Sequence, residues 1–180
     1  MLITETKLKG AFVIEMEPIE DMRGFFARAW SDREFEAAGL TARFIETNVS
    51  FNNKKGTLRG MHFQAPPHQQ IKLVRCTRGS IYDVIIDLRP DSPTFRQWFP
   101  LKLSAENHLM LYVPGEFAHG YLTLEDNTEV TYQTSAYFAR EHGGGVRWND
   151  PAFNVTWPEN ENSLIILERD RTYPDFALRQ

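Results

Sequence analysis

A period of two dominates this chain and limits what it can fold into. From residue 11 to residue 167, short runs alternate apolar and polar side chains and stop at Gly, Pro, Asn or Asp. That pattern marks half-buried strands joined by turns. Runs over residues 11–16, 23–30, 43–51, 58–64, 70–77, 80–88, 95–103, 108–113, 117–124, 129–138, 146–148 and 163–167 read as strands. One segment departs from it. Ser31 with Glu34 three residues later forms a capping-box pattern, and Gly39 supplies a stop, which predicts a short helix over 32–38. Many short strands with one short helix predict an all-β sandwich or barrel. Thirteen Phe, six Tyr and four Trp provide the bulky side chains that such a core favours. No repeat, low-complexity tract or linker divides the 180 residues, so a single domain over 1–180 is expected.

Several function classes are disfavoured at once. A net charge of −4 gives no electrostatic case for nucleic acid, so any bound anion must be held by locally placed Arg and Lys. Cys76 is alone, which rules out an intramolecular disulfide or a thiolate metal cage. The start of the chain lacks a secretory pattern, and no run approaches the ~20 apolar residues of a membrane helix. A cytoplasmic protein with no membrane partner is the expectation.

The densest chemistry lies in Arg59-Gly60-Met61-His62-Phe63-Gln64, with Lys72 eight residues beyond Gln64. A guanidinium, an imidazole, an amide and an ammonium are interleaved with Leu58, Met61, Phe63, Ile71, Leu73 and Val74. Polar groups pointing into a lined cavity would explain this, and so would a barrel rim whose polar residues are satisfied. On a regular strand Arg59 and His62 fall on opposite faces. Gly60 between them predicts a bulge or bend that re-aims one of the two. Pro66 and Pro67 then end the strand.

Ala118-His119-Gly120, following Val113-Pro114-Gly115-Glu116, is similar to the second signature of cupins, the small jelly-roll barrels. His62, His68 and His119 raise the question of a metal. The first cupin signature has two His one residue apart, and Gln64 stands at the second-His position, so no metal is expected. A fuller resemblance covers nearly the whole chain in order. Asp21-Met22-Arg23-Gly24-Phe25-Phe26, Asn48-Val49-Ser50, residues 56–64, Lys72-Leu73-Val74, residues 83–89, residues 114–120, Tyr132 and Trp148-Asn149-Asp150 resemble the dTDP-4-dehydrorhamnose 3,5-epimerase family. The resemblance implies an all-β, cupin-type jelly roll with short helical additions. It also implies a cofactor-free homodimer that epimerises nucleotide-linked 4-keto-6-deoxyhexoses.

By that resemblance His62 is the base, Asp170 orients it, Tyr132 is the acid on the opposite side and Lys72 faces the developing oxyanion. Arg23 and Arg59 match diphosphate contacts; Phe26, Asn48, Gln64, His119, Phe138 and Arg169 complete the expected substrate-binding set. The chain departs from the family pattern at Arg28 and Glu46, where charge is exchanged, at Phe138 and Arg169, and near Gly143, where the family has a Glu. Two other readings stand beside the dTDP-sugar 3,5-epimerase. One is a single-carbon epimerase acting on another nucleotide sugar, such as a CDP-hexulose. The other is a sugar-nucleotide-binding cupin without activity. A metal-dependent cupin oxygenase is disfavoured by the missing ligand set.

Overall fold

The period of two resolves into stacked antiparallel sheets. The computed structural model describes residues 1–41 and 43–177. In chain order the strands are β1 (Leu2–Glu5), β2 (Phe12–Glu15), β3 (Ile19–Asp21), β4 (Gly24–Phe26), β5 (Glu46–Asn52), β6 (Thr57–Gln64) and β7 (Lys72–Arg78). They continue as β8 (Ser80–Asp87), β9 (Trp98–Ser104), β10 (Met110–Val113), β11 (Phe117–Thr123), β12 (Thr128–Thr134), β13 (Gly143–Gly145) and β14 (Ile165–Ile166). Two short helices, α1 (Asp32–Ala37) and α2 (Glu168–Arg171), accompany them.

One sheet runs β1-β2-β10-β7-β12-β5 and the other β13-β6-β11-β8-β9, with β14 added parallel to β6. These two sheets form the jelly roll. Their inner faces bury Val74, Cys76, Ile81, Ile85, Leu111, Phe117, Tyr121 and Val130 in a shared core. The outer faces are covered as well. Phe35 of α1 is fully buried against Ile14, Leu73, Met110 and Tyr112 on the first sheet. Burying a side chain of that kind is worth roughly 2–3 kcal/mol, enough to dock a helix of six residues that would not persist alone. The second sheet is covered on its outside by Val146, Trp148, Phe153 and Leu164.

Several boundaries differ from the sequence reading. The run at 23–30 contributes only Gly24–Phe26, paired with Ile19–Asp21 in a separate hairpin. The run at 95–103 begins at Trp98, because residues 92–97 turn on themselves and Arg96 has φ +64°. In place of 146–148, the strand there is the glycine run Gly143–Gly145, which carries no side chains from which a period could be read. β1 and α2 were not foreseen, being four residues each. Ser31 is the N-cap of α1 but makes no side-chain cap bond. Glu34 instead meets Arg28 at 2.9 Å and the Met1 ammonium at 2.6 Å. Among the described residues no helix is long and apolar enough to cross a membrane.

Candidate active site

The β6–β11 ladder organises the site. His62 lies opposite His119, and Arg59 opposite Tyr121, so two residues of β11 span three of β6. Residues facing each other across an antiparallel pair share a face of the sheet. His119 and Tyr121 lie on the inner face of β11, and the extra residue on β6 therefore turns both Arg59 and His62 inward. Gly60 carries the bulge, with φ +128°. A methyl group at Gly60 would lie 2.5 Å from the Cα of Gly120, and one at Gly120 would lie 2.6 Å from the Met61 sulfur. Only a pair of glycines permits this approach.

Asp170 locks the bulge and the base together. It is 1% exposed, and Oδ2 accepts the Gly60 N–H at 3.2 Å while Oδ1 lies 2.8 Å from His62 Nε2. Burial works to raise this carboxyl. The hydrogen bond and charge of His62, the Gly60 N–H and Arg169 outweigh burial and hold the carboxyl below its ordinary range. Arg169 also approaches Asp170 Oδ1 at 3.1 Å and His62 Nε2 at 3.0 Å. A ring nitrogen that donates to Asp170 cannot accept from Arg169. The shorter contact to the carboxylate assigns the proton to Nε2 and leaves Nδ1 as the basic nitrogen.

The first sheet supplies the facing wall. Tyr132 on β12 stands opposite Asn48 on β5 and Val74 on β7, and Thr134 stands between Glu46 and Lys72. Glu46, Asn48, Ser50 and Asn52 thus share the inner face of β5. Burial pushes the Tyr132 phenol above its ordinary range; Arg59 pulls it down and Glu46 adds to the rise. Burial lowers Lys72 to about 8, against the opposing charge of Asp83. Lys72 keeps part of its surface open to water while sharing the inner face of β7 with the fully buried Val74 and Cys76. Arg59 Nε donates to Asn52 Oδ1 at 2.7 Å, and Asn52 and Ser50 reach the Tyr121 hydroxyl.

The structure therefore gathers His62, Asp170, Arg59, His119, Asn48, Tyr132 and Lys72 around the inside of one jelly roll, with the largely exposed Arg169 reaching His62 and Asp170 from α2. Three of the expected substrate contacts lie elsewhere. Arg23 is 85% exposed and paired with Asp21, and Phe26 is 70% exposed; both belong to the β3–β4 hairpin, outside the two barrel sheets. Gln64 is 4% exposed, and its amide is fully engaged. It donates to the carbonyls of His68 (2.7 Å) and Tyr137 (3.2 Å) and accepts the Ala139 N–H at 2.7 Å. It ties two loops beside the site together in place of touching a ligand. Phe138 is 69% exposed beside Gly143, so a ring and a glycine stand at that point of the rim. Among the described residues no three His, Cys, Asp or Glu side chains gather where they could hold a metal ion.

Asp83 is the site residue that sequence reasoning missed. Tyr82, Val84, Ile86 and Leu88 alternate with Asp83 and Asp87 over residues 82–88, a pattern that by itself places Asp83 on a polar side. Val84 and Ile86 pack in the cluster outside the second sheet, while Ile81 and Ile85, on the same side as Asp83, face the inner core. The signal was Ile81 and Ile85, since a strand apolar on both faces is buried on both.

A jelly roll that holds a carboxylate-backed imidazole on one wall and a phenol and an ammonium on the other defines the site of a cupin-type isomerase. A family profile described as dTDP-4-dehydrorhamnose 3,5-epimerase matches residues 5–177, and the chain belongs to that family. A Methanothermobacter thermautotrophicus dTDP-4-dehydrorhamnose 3,5-epimerase is 41% identical over 170 residues, covering 94% of this chain and 91% of that protein. The crystal structure of the dTDP-4-dehydrorhamnose 3,5-epimerase from Elizabethkingia anophelis superposes with a TM-score of 0.95 at 37% identity, covering 98% of this chain and 96% of that one. A Legionella pneumophila dTDP-6-deoxy-D-glucose 3,5-epimerase, solved in complex with dTDP-4-keto-L-rhamnose, gives a TM-score of 0.87 at 34% identity, covering 94% and 89%.

Proposed function

We propose that this enzyme inverts C3 and C5 of dTDP-4-dehydro-6-deoxy-D-glucose, yielding dTDP-4-dehydro-L-rhamnose, without a cofactor. The C4 ketone acidifies the hydrogens on both neighbouring carbons. His62 Nδ1 removes one of them, and Asp170 stabilises the imidazolium that results. The electron pair moves onto O4, where the Lys72 ammonium meets the enolate charge in an enclosed site. Tyr132 returns a proton to the opposite face of the carbon, which inverts it. The observation that carries this reading is the placement of His62 on β6 and Tyr132 on β12, inward-facing residues of opposite sheets.

Arg59 is a diphosphate contact, Asn48, His119 and Arg169 hold the substrate, and Phe138 stacks on the base at the rim. The enzyme is a cytoplasmic homodimer. Exposed Ile19, Met22, Phe25 and Phe26 on the hairpin, and Val49 and Phe51 on the edge strand β5, support a partner surface. In the dimer the hairpin of one protomer carries Arg23 and Phe26 to the cavity of its partner, which reconciles their expected role with their distance from their own site. Incubation with dTDP- and CDP-linked 4-keto-6-deoxyhexoses, with NMR identification of the products, tests the assignment. Inversion at both carbons of the dTDP sugar is expected; inversion at one carbon, or of the CDP sugar alone, would overturn it.

A further inference from the structure

Two aspartates face the interior from β8, and only one is fully used. Asp87 receives Arg89, Ser92 and Thr94. Asp83, with no exposed surface, has its Oδ1 2.6 Å from His119 Nε2, and its Oδ2 is buried with no hydrogen-bond partner. A buried carboxylate oxygen left open in this way needs a counter-charge or a function. Lys72 shares the inner face of β7, on the facing sheet, with Val74 and Cys76, and the charge of Asp83 acts to keep it protonated.

We propose that Asp83 is a positioning residue whose two oxygens serve different groups of the cavity, Oδ1 fixing the ring of His119 and Oδ2 anchoring the charge of Lys72. One rigid carboxylate then sets the distance between a substrate-holding imidazole and the cation that meets the enolate. Without it, burial alone would act on Lys72, which already sits at about 8, and the amine would lose its proton in the neutral range. The other titratable groups on the inner faces are Asp87 on β8, already engaged by Arg89, Ser92 and Thr94, His119 and Tyr121 on β11, Cys76 on β7, Tyr132 on β12, Glu46 on β5, and Arg59 and His62 on β6. Strand β10 brings only Leu111 and Val113. Among the described residues, Asp83 is the charge that opposes the effect of burial on Lys72.

The catalytic use of Lys72 rests on the epimerase reading; the pairing itself does not, and its test needs no turnover. The Lys72 side chain is titrated by NMR in the wild-type protein and in Asp83→Asn, whose carbonyl still accepts from His119. A step near pH 8 in the wild type, moved down by about one pH unit or more in Asp83→Asn, is expected. The alkaline limb of kcat/KM moves with it, a loss of about fivefold at pH 8 that is much smaller at pH 6. An unmoved Lys72 step, with a loss equal at all pH values, would overturn the proposal. Should Asp83→Asn not fold, the 13C carboxyl resonance of Asp83 is followed in the wild type. It should report the step near pH 8 and lose it in Lys72→Met, and a resonance without that step is equally contrary. A moved step with no epimerisation of any substrate would instead retain the pairing and remove the epimerase reading.

Discussion

Arg59 and His62 project into the same cavity although they are three residues apart on one strand. The β6–β11 register shift makes this possible, with Tyr121 opposite Arg59 and His119 opposite His62. On the proposed mechanism, the bulge at Gly60 is the device that lets one strand present a diphosphate contact and a base to the same substrate. Asp170 secures both ends of it, through the Gly60 N–H and the His62 ring.

Gly60→Ala should therefore be costly. The added methyl would fall 2.5 Å from Gly120 Cα and 2.9 Å from the His119 carbonyl, at φ +128°. A loss of about 3 kcal/mol or more in urea unfolding is expected, because the clash is with backbone. Activity should fall with it even where the variant stays folded, since Arg59 and His62 no longer converge. A variant as stable and active as wild type would contradict this account of the bulge.

Asp170→Asn separates orientation from binding. Its amide can satisfy the Gly60 N–H only by turning its NH2 toward His62, which forces Nε2 to accept and places the ring proton on Nδ1. The base is then in the wrong tautomer, and kcat should fall by roughly 10³–10⁴ with KM little changed. Acid stability checks the same carboxylate. Its partners hold it below the ordinary 3.8, so its contribution is complete above that pH and is lost as pH falls through the lower folded value. Acid unfolding curves of the variant should lack that component.

Lys72 trades stability for function. Its pKa falls from 10.5 to about 8 on burial, so the folded protein holds an unfavourable ammonium at pH 7. The cost is complete below about pH 8 and disappears as pH rises toward 10.5, where the unfolded chain also loses the proton. Removing both charges, Lys72→Met together with Asp83→Asn, should give a protein more stable at pH 7 by about 2–3 kcal/mol in urea unfolding and inactive. In the wild type the reaction should slow as pH rises through about 8, because the enolate needs the charged form. A variant less stable than wild type at pH 7 would show that the ammonium is not buried at a cost.

Tyr132→Phe removes the acid and leaves the base. In deuterated water His62 can still take a proton and return a deuteron to the same face. Deuterium should enter the sugar without inversion, and the substrate should be recovered labelled. Loss of exchange together with loss of inversion would place Tyr132 in binding or in the deprotonation step.

The strands were legible because alternation reports directly on half-buried sheets, and the Gly60 irregularity because Arg59 and His62 had incompatible parity. Other features were hidden for physical reasons. The strand Gly143–Gly145 has no side chains to alternate, and alternation by itself places Asp83 on a polar side although both faces of β8 are covered. Gln64 matched a substrate contact by position, yet its amide is used up by three backbone groups that lie four to 75 residues away along the chain. Such contacts are set by loop folding, which a local pattern does not encode. The hairpin position of Arg23 and Phe26 was equally invisible, since alternation over 23–30 does not say which sheet a strand joins.

The central claim is that His62 removes the proton next to the ketone. Wild type and His62→Ala are incubated with dTDP-4-dehydro-6-deoxy-D-glucose in deuterated water, and C3 and C5 are followed by NMR. Wild type should incorporate deuterium at both carbons with inversion, while His62→Ala should still bind dTDP and incorporate none. Exchange at either carbon by His62→Ala at the wild-type rate would remove His62 as the base.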